Sequence, residues 1–212
     1  VHQPQWDAAV APAGKLADPL DAYREQMAPI AALPAAQLDQ PQTRLLRAQA
    51  QYHLGQLEPA LADLDFLVEK QAVSTAVLQY RAWTLARLGK VDEARAALAT
   101  YSEQGNDPST RSYVQIVLAA WLGKLDEATQ QLDALVTASP QKADALYNAA
   151  CAAALASQAC AQSDAARSQQ FTDRAIELLA AAITHGYDDA QQLRTDIDLA
   201  RLHSDPRFPA LL

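Results

Sequence analysis

The chain has 212 residues, half of them hydrophobic but only 6% aromatic, so it holds one domain or a short repeat array with much of its apolar content in alanine. Six glycines are too few to turn a many-stranded β protein, and alanine is the best helix former, so the composition reads as all-α. The net charge of −8, with 17 basic residues among 25 acidic ones, excludes the clustered cations of a nucleic-acid binder, and no apolar run is long enough for membrane insertion.

Residues 1–15 form an N-terminal segment, partly irregular, without the basic-then-apolar layout of a secretory signal. The sequence starts at Val1 rather than Met, as expected of a processed chain or a fragment. Residues 16–40 read as a capping helix and linker. Leu16, Leu20, Tyr23, Met27 and Ile30 recur at spacings of three and four, which places one apolar face on a helix over 16–33.

Three repeats follow over 41–142. Leu54-Gly55-Gln56-Leu57-Glu58-Pro59-Ala60 returns as Leu88-Gly89-Lys90-Val91-Asp92-Glu93-Ala94 and again as Leu122-Gly123-Lys124-Leu125-Asp126-Glu127-Ala128. The glycines stand 34 residues apart, as do Ala60, Ala94 and Ala128 and Leu64, Leu98 and Leu132. Each glycine can take the left-handed conformation that ends a helix. Asp92 and Asp126 are placed to cap the next helix, and Pro59 fits a first turn. This spacing predicts helix pairs at 42–54 with 58–71, 75–88 with 92–103, and 109–122 with 126–138, with loops near Gly105-Asn106-Asp107-Pro108 and Ser139-Pro140.

A 34-residue period with this shared motif resembles the tetratricopeptide repeat (TPR) family. The resemblance implies an α-α superhelix, a right-handed solenoid of antiparallel helix pairs with terminal capping helices. A fourth, extended pair is expected over 143–187. Its first helix carries Tyr147-Asn148-Ala149-Ala150-Cys151, Ala156-Ser157 replaces Leu-Gly, and the small residue of its second helix, Ala175, arrives 13 positions late. The extra stretch Gln158 to Gln170 either lengthens both helices or loops over one edge. Residues 188–212 read as a capping helix at 190–202 (Leu193, Ile197, Leu199, Leu202) and a tail that tucks back on it.

From 143 onward, Tyr147-Asn148-Ala149-Ala150-Cys151, Asp173-Arg174-Ala175-Ile176-Glu177-Leu178-Leu179, Gly186-Tyr187, Leu193-Arg194-Thr195-Asp196 and Asp205-Pro206-Arg207-Phe208 occur in order. This is similar to the closing segment of TPR regions that follow the kinase domain in some bacterial serine/threonine protein kinases. It implies the non-catalytic part of a signalling protein. The chain has no glycine-rich phosphate loop, no His-Arg-Asp and no Asp-Phe-Gly.

No catalytic, cofactor or metal assignment emerges. His2, His53, His185 and His203 lack ligand spacing, and Cys151 and Cys160 read as small buried hydrophobes. The acid pairs Asp63/Asp65, Asp188/Asp189 and Asp196/Asp198 read as solvated faces and helix starts. The resemblance implies instead a concave face lined by the first helix of each pair. That gives a peptide-binding groove of Gln49, Tyr52, Gln79, Trp83, Arg87, Tyr113, Val117, Trp121 and Tyr147, with Leu45, His53, Ala86, Ala120, Cys151 and Leu155 beside them. The Lys/Asn/Arg carboxylate clamp of chaperone-tail binders is missing, since Leu45, Gln49, Thr110 and Val114 stand at its positions. The expected partner is therefore an apolar or amphipathic protein segment, met in the cytoplasm. The alternative is self-assembly, as a homo-oligomer or a spacer packed on a neighbouring domain.

Overall fold

The computed structural model of the chain describes residues 19–103 and 108–212; the expectations for residues 1–15, for Leu16 and for the loop at 105–107 lie outside them. The described residues fold into helices joined by short turns, with no strand among them. A helix α1 (Pro19–Ala31) and a single turn α2 (Ala35–Leu38) precede three pairs: α3 (Pro41–His53) with α4 (Leu57–Glu69), α5 (Thr75–Arg87) with α6 (Val91–Glu103), and α7 (Pro108–Trp121) with α8 (Leu125–Ala138). The long helices α9 (Ala143–Cys160) and α10 (Ala165–Thr184) follow, then α11 (Ala190–Thr195) and two 3-10 segments, Ile197–Ser204 and Phe208–Leu211.

The 34-residue motif acts through its turn. Gly55, Gly89 and Gly123 have φ of 77°, 74° and 73°. At the first of these turns, Gly55 N–H donates to Tyr52 C=O (3.1 Å) and Gln56 N–H to Gln51 C=O (2.8 Å), the paired bonds that close a helix on a left-handed residue. The connection is then short enough to lay each helix on its predecessor. Ala60, Ala94 and Ala128 sit where the paired helices meet, all with no exposed surface. A larger side chain there would force the helices apart.

Asp92 and Asp126 do not cap. Each is the second residue of its helix, and the N-cap of α8 is Lys124, which makes no side-chain cap. Their carboxylates sit in the first turn, where the positive end of the helix favours them, and Asp126 also pairs with Arg167 at 2.6 Å.

The helices form two rows. The first comprises α1, α3, α5, α7 and α9, each packed on the next; the second, α4, α6, α8 and α10, packs on the first. One apolar core runs from Tyr52 to Phe208, with a smaller cluster of Ala48, Leu64, Leu67 and Val77 near the N-terminal end. Asp63, read as a solvated face, is buried. It accepts from Arg44 at 2.6 Å and from Arg47 through Nε and Nη2 at 2.6 and 2.7 Å, and two guanidiniums compensate its desolvation.

The stretch 158–170 lengthens both helices of the last pair. The added turns meet at a buried polar knot, where Ser157 Oγ lies 3.1 Å from Ser168 Oγ and 2.8 Å from Thr172 Oγ1. Cys151 and Cys160 are free and buried.

The expected capping helix 190–202 is broken. Asp196 takes an extended conformation (ψ 118°), and its carboxylate accepts from the N–H of Asp198 at 2.9 Å. That local bond competes with a continuing helix and redirects the chain. The segment Ile197–Ser204 turns across α9 and reaches α1, so the two ends of the described chain meet over the first row.

Candidate functional site

The face of the first row is built from positions that recur with the repeat. Positions 45, 79, 113 and 147 hold Leu, Gln, Tyr and Tyr; positions 53, 87, 121 and 155 hold His, Arg, Trp and Leu. Tyr52, Tyr80, Trp83 and Tyr113 form a chain of rings across α3, α5 and α7, with centroid separations of 5.3, 5.7 and 5.5 Å in edge-to-face geometry. Tyr23 of α1 adds to it against His53 at 4.5 Å.

The 3-10 segment Ile197–Ser204, with Asp196 at its start, occupies this face. Tyr113 Oη donates to Asp198 and Tyr147 Oη donates to Asp196. Tyr147 also stacks flat on Tyr187 at 4.3 Å. Arg201 reaches the polar knot, donating from Nε to Ser157 Oγ at 2.7 Å and from Nη2 to Ser168 Oγ at 2.9 Å. Leu199 and Leu202 are fully buried beneath the segment. Asp196 and Asp198, read as solvated, are thus the residues that hold the segment down.

The groove residues expected from the sequence have different fates. Tyr113 and Tyr147 meet on this face, both engaged by the chain's own carboxylates. Trp83 and Val117 are 1% and 0% exposed, inside the main core, so neither can touch a ligand in this arrangement. Trp83 Nε1 donates to Val114 C=O at 3.4 Å instead. Tyr52 is buried as well. Gln49 and Gln79 are half-buried. The guanidinium of Arg87 lies between the rings of Tyr52 and Trp121, at 4.8 and 4.9 Å, and donates to Tyr52 C=O at 2.9 Å.

Between the segment and the first row lies a cavity of about 360 Å³. Leu20, Tyr52, His53, Arg87, Leu155 and Gln158 line it from the first row, and Ile197, Ala200, Arg201 and Ser204 from the segment. Sequence reasoning missed Tyr23, Tyr80, Asp196, Asp198 and Arg201. Only Tyr80, three residues before Trp83 on α5, carried a sign of its place, as a neighbour one turn away.

Burial sets the protonation states here. Burial, with the nearby Asp198, pushes the Tyr113 hydroxyl well above its usual range; Tyr80 and Tyr147 rise for the same first reason. These tyrosines therefore stay donors at neutral pH. Burial, helped by the Asp196 charge, raises the Asp198 carboxyl to about 7. Burial, then Arg87, lowers His53 to about 4, so its ring is neutral at pH 7 and its Nε2 lies 3.0 Å from Tyr80 Oη. Both cysteine thiols are pushed up by burial, the opposite of an activated nucleophile. Among the described residues no group of three or more His, Cys, Asp or Glu could hold a metal, and no helix is long and apolar enough to cross a membrane.

No family model, curated protein or solved structure matches this chain.

Proposed function

We propose that the chain is a non-catalytic protein–protein interaction module of the TPR type, whose first-row face holds a short polypeptide segment and whose own C-terminus occupies that face until a partner takes it. The single observation that carries this reading is the pair of Tyr–Asp contacts. Tyr113 and Tyr147, one repeat apart, each grip a carboxylate at the start of one 3-10 segment, Asp198 within it and Asp196 at its N-cap. A face that takes Asp-Ile-Asp-Leu in this way suits an amphipathic partner segment with acidic and aliphatic residues interleaved. The TPR assignment draws on the 34-residue period and the left-handed glycine at each turn.

The C-terminal resemblance to kinase-linked TPR regions gains physical sense from contacts among its pieces. Tyr147 meets Tyr187 and Asp196, Arg207 bonds Asp173 at 2.7 Å, and Phe208 is fully buried. On this reading the chain is an interaction arm of a larger signalling protein.

The test compares wild type with Asp196→Ala/Asp198→Ala as baits in affinity capture from the source cells, with Tyr113→Phe/Tyr147→Phe added to the opened bait. The opened bait should retain a partner at least tenfold better than wild type, and the two phenylalanines should remove it. Equal capture by all baits would reject the groove. The Tyr–Asp contacts also fit a second reading, a spacer whose face is permanently filled by its own C-terminus; no partner for any bait, with a constant monomer mass across concentration, would favour that one.

A further inference from the structure

The cavity beneath the C-terminal segment plays no part in the Tyr–Asp grip and has its own chemistry. Its volume, about 360 Å³, lies in the range of small-molecule sites, roughly 300–1,000 Å³. Two guanidiniums and the His53 ring face it, and no acidic residue among the described residues does. That is unusual in a chain with 25 acidic and 17 basic residues. Arg44, Arg47, Arg81, Arg167, Arg174 and Arg207 each hold a carboxylate, whereas Arg87 and Arg201 pair with none among the described residues.

Both cations are fixed in place without being satisfied. Arg87 is sandwiched between two aromatic rings and gives one N–H to a carbonyl; Arg201 gives two to serine hydroxyls. A guanidinium has five N–H donors, so each retains several, and rigid forks of this kind match carboxylate and phosphate oxygens. Leu155 and Ile197 make the rest of the space partly apolar.

We propose that this cavity binds a small anion, a carboxylate or phosphate head on a short apolar body, with Arg87 and Arg201 holding the head. Arg87 comes from α5 and Arg201 from the C-terminal segment, so the bound anion ties the segment to the first row. The site stands whether or not the face also receives a partner protein.

The test is calorimetric titration of the full chain with inorganic phosphate, butyl phosphate and pentanoate, at constant ionic strength set by sodium chloride. Saturable binding of at least one probe is expected, weakened tenfold or more by Arg201→Gln and by Arg87→Gln, and unchanged by Arg194→Gln. Whether a phosphate or the carboxylate binds assigns the head. Should Arg87→Gln lose helicity, Arg87→Lys with Arg201→Gln carries the test, since Arg201 is an exposed residue and Ser157 and Ser168 keep their bonds to each other and to Thr172 without it. The His53 ring, which faces Arg87, Tyr23, Tyr52 and Tyr80, supplies a second readout: a seated anion raises its NMR titration midpoint above the free value of about 4. No saturable binding of any probe, binding indifferent to both arginines, or an unmoved His53 midpoint would overturn the proposal.

Discussion

The three repeats and the C-terminal region are held together in different ways. Between residues 41 and 138 each helix packs on its neighbours in sequence, and the same residue types do the same work every 34 positions: a left-handed glycine, a buried alanine, a leucine beneath it. From 143 onward the decisive contacts are distant and join repeat positions to residues outside any repeat. Tyr113 reaches Asp198, 85 residues away, and Arg201 reaches Ser157, 44 away. The difference teaches that periodic contacts build the scaffold and aperiodic ones close it. Local failure in the first region should spread, because each repeat supports the next; failure in the second should leave the scaffold standing.

The strongest way to break this contrast is to open the core beneath the aromatic face. Trp83 is 1% exposed and touches rings on α3 and α7. Trp83→Ala should cost roughly 3–5 kcal/mol and lower the urea midpoint of the whole chain. Leu199→Ala, at a residue with no exposed surface, should cost about 2–5 kcal/mol but spend it locally. Amide exchange should then rise across 196–212 while α3 to α6 keep their protection. Equal loosening of α3 to α6 would show that scaffold and closure are one cooperative unit.

A change of pH should act on the closure through Asp198 and on the first row through His53, whose folded value of about 4 lets stability rise with pH up to about 6.5. Folding raises Asp198 from 3.8 to about 7, so the folded state binds a proton that the unfolded state has already released. Stability from this group is fully present below about pH 4 and is lost as pH rises through about 7. Tyr113, Tyr23, Tyr80 and Asp196 surround or feel this carboxylate, and none of them supplies a compensating cation. The stability of Asp198→Asn relative to wild type should therefore rise between pH 5 and 8.5 by roughly 2–3 kcal/mol, the His53 contribution cancelling in the difference. A difference between the two chains that stays constant over this range would contradict the assigned burial.

What was legible in the sequence follows the same division. The paired helices of the three repeats lie within one or two residues of the expected spans, because a glycine that ends a helix and an alanine at a crossing leave marks at fixed spacing. Register also brought Tyr113 and Tyr147 to one face. It could not say that Trp83 and Val117 on the same helices are core, since burial there depends on which neighbour covers them. The capping helix at 190–202 was misread because Leu193, Ile197, Leu199 and Leu202 keep helical spacing while one carboxylate, Asp196, bends the backbone. Nothing periodic marks Asp198 or Arg201. Their roles exist only once the chain has folded back.

One small substitution compares two ways of ending a helix in this scaffold. At Gly89 the left-handed turn is made by glycine, and an added Cβ would meet no atom within 4 Å. At the end of α4 the same turn is made by Gln71, with φ 58°; its N–H donates to Val68 C=O at 3.0 Å and Ala72 N–H donates to Leu67 C=O at 2.9 Å. The hydrogen bonds match in kind, so the two turns differ mainly in the cost of a side chain in the left-handed region, about 1 kcal/mol. Gly89→Ala should destabilise by about that amount although it touches nothing. Gln71→Gly should gain about 0.5–1 kcal/mol, part of the relief being offset by the freer unfolded chain. Opposite signs in a pair of urea melts would tie the turn to backbone conformation; a loss at Gln71→Gly would mean that the glutamine side chain contributes more than its backbone costs.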